Sequence, residues 1–516
     1  MNFKIKQAKD MSIEELIGQV IMVGLPFDYL DNEYKEFIKT YKIGNYILFA
    51  RNYTDSKQMK IFMEELYNYT TDIVESFPLV SIDQEGGMVV RLFKDVTFPA
   101  SPLATSATSV SNAPYITGEI IGKDMLKHGV NLNLAPCLEI NENLAYPLVN
   151  VRGYGATKEI VLKNATSFVE GLQCSGVLSC IKHFPGDGSS TKDSHLELPI
   201  IDESKEQLLN YNMYPFKHLT KSDALMTSHC IYKSFDEMPS TLSKVLLTDV
   251  LRNEMKFDGL IISDGMEMNA IKDYYGIREG SVMALIAGCD ILLLCHNYED
   301  QKLALESVMK AYKEGLITRS LLEEKVNRIN KAKEKVLLGL EKYFTSDIYK
   351  VVEEEHKLME EIVDNSYTLI KGTPPYINNN TLVISSSAKV GSIVEDEFDD
   401  RNLTNALKHN FPNNKVLKFE KNDLFKEEVY KVIDNYDHIL IYSYDAYCDE
   451  TQKEVINTIL QLDKEVHVVS IKGPIDMNHF INLTNYSCLY EYTPNSIKTI
   501  IKQLKTNMTL NGKLPL

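Results

Sequence analysis

No stretch of this chain approaches the ~20 consecutive apolar residues that a membrane helix needs. Its opening, MNFKIKQAKDMSIEELIGQ, lacks both an apolar run of signal-peptide length and a small-residue cleavage site, so a cytoplasmic location is expected. Positive charge is in deficit. The formal net charge is −17, which disfavours nucleic-acid phosphate and anionic lipid as partners and is most simply a device for solubility. The eight cysteines form no CxxC pair and show no zinc spacing. Most sit in apolar runs such as GCDILLLC, as buried free thiols of a reducing compartment would. HExxH and H-x-H are missing, and neither GYGATKE nor PGDGSS carries the Walker lysine or the dinucleotide spacing. With 44% hydrophobic and 25% charged residues, bulk disorder is excluded.

What is present is alternation. Eight short apolar runs read as strands: residues 19–25, 45–50, 77–83, 130–136, 177–183, 224–229, 259–264 and 289–295. Amphipathic stretches separate most of them. One is TLSKVLLTDVLRNEM, for which Ser240 offers a cap. Strands separated by helices pair in parallel, and eight such units predict a (β/α)8 TIM-like barrel over 1–345. A Lys- and Glu-rich helix from about Arg319 to Tyr343 leads into a polar helical connector at 346–372. Alternation then resumes in TLVISSS, NKVLKFE, HILIYSYD, EVHVVSI and SCLYEY, a smaller α/β sandwich domain over 346–516. At 516 residues, two domains are the natural division.

A parallel barrel does its chemistry at the C-terminal ends of its strands. Those ends carry Asp83, Lys182, His183, His229 and Asp264. Asp264, in IISDGMEM, reads on its own either as a nucleophile or general base, or as the cap of the following helix. The loop KHFPGDGSSTKDSHLELP places Asp193 two residues before His195. An aspartate that accepts from one imidazole nitrogen leaves the other to exchange a proton with substrate. Taken alone, D-x-H is more simply a solvated loop histidine beside a turn-capping aspartate. A carboxylate together with an Asp-supported acid/base is the equipment of a retaining glycosidase.

The chain resembles glycoside hydrolase family 3, specifically its β-N-acetylglucosaminidase branch. The resemblance rests on SIDQEGGMVVRL, NLNLAPCLEIN, VRGYG, KHFPGDGSSTKDSH, MTSHCIY, LSKVLLTDVLRNEMKFDGLIISDGMEM and the closing GKLPL. It implies Asp264 as nucleophile, His195 as general acid/base and Asp193 as its partner. Asp83, Arg91, Arg152, Lys182 and His183 would bind the sugar. The activity it implies is removal of non-reducing terminal β-linked GlcNAc from small glycosides, chitin-derived or cell-wall-derived, with no metal and no cofactor. Relatives usually carry histidine at Asp187 and arginine at Met88, and RSFG where VRGYG stands here. Asp187 adds negative charge to the catalytic loop, which would raise the working pKa of His195.

A histidine acid/base starts near neutral pH and, when neutral, does not repel an anionic acceptor. Phosphorolysis at the same site is therefore the alternative outcome. The same residues admit two other classes: a metal-dependent hydrolase built on His183, His195, His229 and Asp264, and a non-catalytic sugar-binding protein. Oligomeric state is not legible.

Overall fold

The computed structural model describes residues 3–142, 149–187, 198–345, 352–386, 402–420 and 422–516. Asp193 and His195 lie outside the described residues. The first ten strands are β1 (Ile21–Gly24), β2 (Asn45–Leu48), β3 (Leu79–Ile82), β4 (Leu132–Asn133), β5 (Leu178–Phe184), β6 (Ile200–Ile201), β7 (Ala224–Thr227), β8 (Ile231–Tyr232), β9 (Leu260–Gly265) and β10 (Ile291–Leu294). Eight of them close a parallel barrel in the order β1-β10-β9-β7-β5-β4-β3-β2. These are the eight expected strands, mostly trimmed at their ends. They are near-continuous apolar runs because both faces are buried, one by the barrel interior and one by helices. β6 and β8 form a separate parallel ribbon, two residues each, too short to leave a periodic signal.

Capping side chains start the helices. Ser12 and Glu15 form a reciprocal box, Asp55 caps Ser56–Val74 and Thr157 caps Lys158–Ser175. The cap expected at Ser240 is displaced. Ser240 lies in a tight turn and its hydroxyl donates to the Phe184 carbonyl (2.9 Å), while Ser243 Oγ accepts the Leu246 amide (3.1 Å). The helix Arg319–Thr345 reaches the floor of the barrel, the end at which the strands begin, through Arg328 on Asp290, Lys335 on Asp223 and Lys333 on Gln19.

The second sheet holds β11 (Thr368–Lys371), β12 (Thr381–Ser385), β13 (Val416–Lys418), β14 (His438–Ser443), β15 (Glu465–Ser470) and β16 (Asn485–Cys488). Their order is β11-β16-β15-β14-β12-β13, and all pairs are parallel except β11 with β16. β11 was not anticipated: it occupies the end of the 346–372 stretch read as connector. Alternate residues feed opposite faces. Leu382, Ile384, Ile439 and Ile441 enter one apolar cluster, while Val383, Leu440 and Tyr442 enter another. The latter cluster continues into the barrel domain through Met88, Ala100, Leu103 and Val151. Polar contacts reinforce that seam. Glu491 accepts the Ser101 amide (2.6 Å), and Asn495 donates to the Phe98 carbonyl (3.1 Å).

Candidate active site

Parallel strands bring their carboxyl ends to one mouth. Asp83 follows β3, Lys182 and His183 lie on β5, and Asp264 is the penultimate residue of β9. Lys182 Nζ is 2.7 Å from Asp83 Oδ1 and 2.7 Å from Glu85 Oε1. Arg152 grips Glu85 with two prongs, Nε to Oε2 at 2.8 Å and Nη2 to Oε1 at 2.7 Å. Arg91 Nη2 lies 3.7 Å from Asp83 Oδ2. The mouth is thus lined by a chain of alternating charge: Arg91, Asp83, Lys182, Glu85, Arg152. Burial opposes the charge on Glu85, but Arg152 and Lys182 outweigh it and hold the carboxyl well below its usual range. Burial likewise opposes the Lys182 ammonium, and Asp83 and Glu85 outweigh it, so its pKa is raised.

Glu85 and Glu139 were missed from sequence. Glu85 could have been found as the second carboxylate after a strand-end aspartate. Glu139, in NLNLAPCLEIN, gives no local signal, because its partner lies far along the chain on the neighbouring strand β5. Its Oε1 accepts from the His183 amide (2.6 Å) and from His183 Nδ1 (2.8 Å). That bond makes Nδ1 the protonated nitrogen of the neutral ring and fixes its orientation. Burial lowers the His183 pKa, Glu139 and then Asp264 raise it, and the net direction is up.

Asp264 is not a helix cap. The next helix, Asn269–Lys272, opens four residues later at Met268 with no side-chain cap. The half-buried carboxylate accepts the Gly265 amide at 2.7 Å through Oδ1. Two residues beyond Gly265, Glu267 accepts the amides of Cys295 and His296 (the latter at 2.8 Å), tying this loop to the end of β10.

His229 is turned into the protein, with Nδ1 2.7 Å from Thr241 Oγ1 and Nε2 3.0 Å from the Gly265 carbonyl. It does not join His183 and Asp264 as a metal ligand set. Among the described residues, Cys137, Glu139 and His183 place their ligand atoms within 4.8 Å of one another. Burial pushes the Cys137 thiol well above its ordinary pKa, its Sγ lies 3.7 Å from Glu85 Oε2, and Glu139 Oε1 is taken by His183. Asp187 is held by the Tyr232 hydroxyl (2.7 Å), and burial, with Glu139 next, pushes its carboxyl up to about 6. Met88 packs in the seam between the domains, where its sulfur accepts the Tyr492 amide (3.4 Å). The eight cysteines are free; six are buried, while Cys174 and Cys448 are exposed.

The beta-hexosaminidase A of Pseudoalteromonas piscicida is 30% identical over 334 residues, 60% of this chain and 56% of that protein. The chain thus spans little more than half of that relative. The beta-hexosaminidase of Tolumonas auensis is 32% identical over 274 residues, 52% of this chain and 80% of that one. A solved glycoside hydrolase family 3 beta-N-acetylglucosaminidase from Paenibacillus sp. str. FPU-7 superposes with a TM-score of 0.91 at 29% identity, covering 98% of each chain. The beta-glucoside phosphorylase BglX shares the fold with a TM-score of 0.80 at 20% identity. The family described as glycosyl hydrolase family 3 N terminal domain matches residues 12–332. By that match, which spans the barrel from its first capped helix to its floor, the chain belongs to glycosyl hydrolase family 3.

Proposed function

We propose that the chain is a retaining β-N-acetylglucosaminidase that removes non-reducing terminal β-linked GlcNAc from small glycosides. The observation that carries this reading is the convergence of Asp83, Lys182, His183 and Asp264 on one mouth of a family 3 barrel. The names of its relatives agree with it.

In the proposed reaction the Asp264 carboxylate attacks the anomeric carbon while His195 gives its proton to the leaving oxygen. Water then attacks the glycosyl-Asp264 ester, His195 takes the water proton, and the β configuration is restored. Asp193 orients the imidazole. Lys182 and His183 hold sugar hydroxyls, and Asp83, Arg91 and Arg152 complete the subsite. The Glu139 bond suits His183 to this work, because a ring with a fixed Nδ1 proton presents a defined face to a hydroxyl. Arg152 would act largely through Glu85, which takes both of its bonded nitrogens. The division into a catalytic 1–345 and a supporting 346–516 belongs to the same reading. So does a cytoplasmic site of action on wall-derived or chitin-derived disaccharides, which the eight free thiols favour.

The test is turnover of aryl β-GlcNAc and aryl β-glucoside by wild type and Asp264→Ala, with and without phosphate. The expected result is GlcNAc-selective turnover that falls by about 10³-fold or more in the variant, with free GlcNAc as product in both buffers. GlcNAc 1-phosphate as product would make the chain a phosphorylase. A wild type inert on both glycosides would favour the non-catalytic sugar-binding reading, and loss of turnover to a chelator the metal reading.

A further inference from the structure

The turn Val149–Gly153 carries Arg152 to the mouth, and its shape is unusual. Asn150 sits at φ 40°, in the left-handed region, and is buried. Asn141 donates to its carbonyl at 3.2 Å. Its side chain faces the second domain. Asn150 Nδ2 lies 3.5 Å from Asp445 Oδ1, a long contact, and Asp445 Oδ2 is paired with Lys472 at 2.7 Å. Both charged side chains are nearly inaccessible, at 5% and 7% exposure. The closest approach is at Gly473. A Cβ added there would stand 2.1 Å from Asn150 Oδ1. Gly473 has an extended backbone, φ −153° and ψ 159°, which any residue adopts. The position therefore does not need glycine's conformational freedom; it needs the missing side chain. The neighbouring Val151 is buried in the apolar cluster that crosses the seam.

We propose that the second domain positions the sugar subsite: Gly473, braced by the Asp445–Lys472 pair, seats Asn150 and so fixes the turn from which Arg152 reaches Glu85 and, through it, Lys182. These are positioning residues, none of them in contact with substrate. The inference rests on the subsite assigned under Proposed function. It gives the second domain a share in binding although its own strand ends supply no catalytic set.

The experiment is Gly473→Ala in the full chain, alone and combined with Asn150→Gly, which removes the opposing side chain and suits a positive φ. Steady-state kinetics on aryl β-GlcNAc, calorimetric affinity for GlcNAc and hydrogen exchange across 149–153 are read on each. In Gly473→Ala, KM and the GlcNAc Kd are expected to rise about 10-fold while kcat stays within about 3-fold, since a displaced anchor weakens binding more than chemistry. Exchange across 149–153 accelerates. The double variant, in which the crowding is relieved but the seat is empty, recovers part of the lost affinity and no more, which a merely unfolded second domain would not do. An unchanged KM in Gly473→Ala, or a double variant as weak as Gly473→Ala alone, overturns the proposal. Unchanged exchange at 149–153 overturns it whatever the substrate. A wild type that neither binds nor turns over GlcNAc sinks the assigned function instead, and leaves the exchange result to decide the contact.

Discussion

The two ends of the barrel both bury charge, and they do so differently. At the mouth, Arg91, Asp83 and Glu85 from the loop after β3, Lys182 from β5 and Arg152 come from three separate segments and meet in one chain of contacts. At the floor, one helix supplies most of the cations. Arg328 meets Asp290 (2.7 Å), Lys335 meets Asp223 (2.7 Å) and Lys325 donates to the Cys289 carbonyl (2.6 Å). Arg252 completes the grip on Asp290 at 2.6 Å, and the same carboxylate accepts the Ile261 amide at 2.9 Å. The floor ties together residues just ahead of the strands. Identical chemistry serves cohesion there and, under the proposed function, recognition at the mouth.

Substitutions at the two ends should separate accordingly. Asp290→Ala removes the buried carboxylate that Arg252 and Arg328 share, leaving Arg328 only Glu324 and Arg252 only the Phe257 and Gly259 carbonyls. It should cost about 3–5 kcal/mol of stability in denaturant while kcat/KM of the folded enzyme stays within about 2-fold. A kinetic defect there would erase the distinction. Glu85→Gln removes the anion shared by Lys182 and Arg152, and kcat/KM should fall about 100-fold, read on aryl β-GlcNAc against a denaturation control. The floor also holds Lys333, fully buried against Gln19 (2.8 Å), with burial pushing its pKa down to about 7. The unfolded chain then holds more protons than the folded one between about pH 7 and the ordinary lysine value of ~10.4, so stability should rise with pH across that window by at most ~1.4 kcal/mol per pH unit. Lys333→Met should flatten the rise, measured by denaturation at stepped pH.

The smallest effect is expected in the second sheet. His438 and His467 bond to each other (3.0 Å) under Tyr376, with their other nitrogens on Thr381 and Thr373. Burial lowers both pKa values, His438 to about 4. Their contribution is present above the ordinary histidine pKa of ~6.5 and is lost as pH falls toward the folded value. His467→Gln should move the acid-unfolding midpoint down by about 0.3 pH unit, followed by circular dichroism.

The strands of the barrel were legible because burial on both faces leaves uninterrupted apolar runs, and Asp83, Lys182, His183 and Asp264 because strand ends are where such runs stop. Residues whose meaning depends on a partner far along the chain were not legible. Glu139 finds His183 across 44 positions and Glu85 finds Arg152 across 67. The floor helix was legible as a helix, but not the partners of its lysines and arginines, because Asp223 and Asp290 lie far back along the chain. β11 escaped notice because a short antiparallel edge strand directly after a polar helix resembles its tail. Asp193 and His195, which fall outside the described residues, are read from the D-x-H spacing together with the family resemblance.

The helix Arg319–Thr345 also sets an order of assembly. It is the last part of the barrel domain to leave the ribosome, yet it pairs with Asp223 and Asp290 and reaches Gln19 near the chain's start. Until it emerges, those carboxylates have no cations from it, and a nascent barrel that closed early would trap them. The barrel should therefore settle only late in synthesis and in one step, with nascent chains ending before residue 319 held in an open, protease-sensitive state.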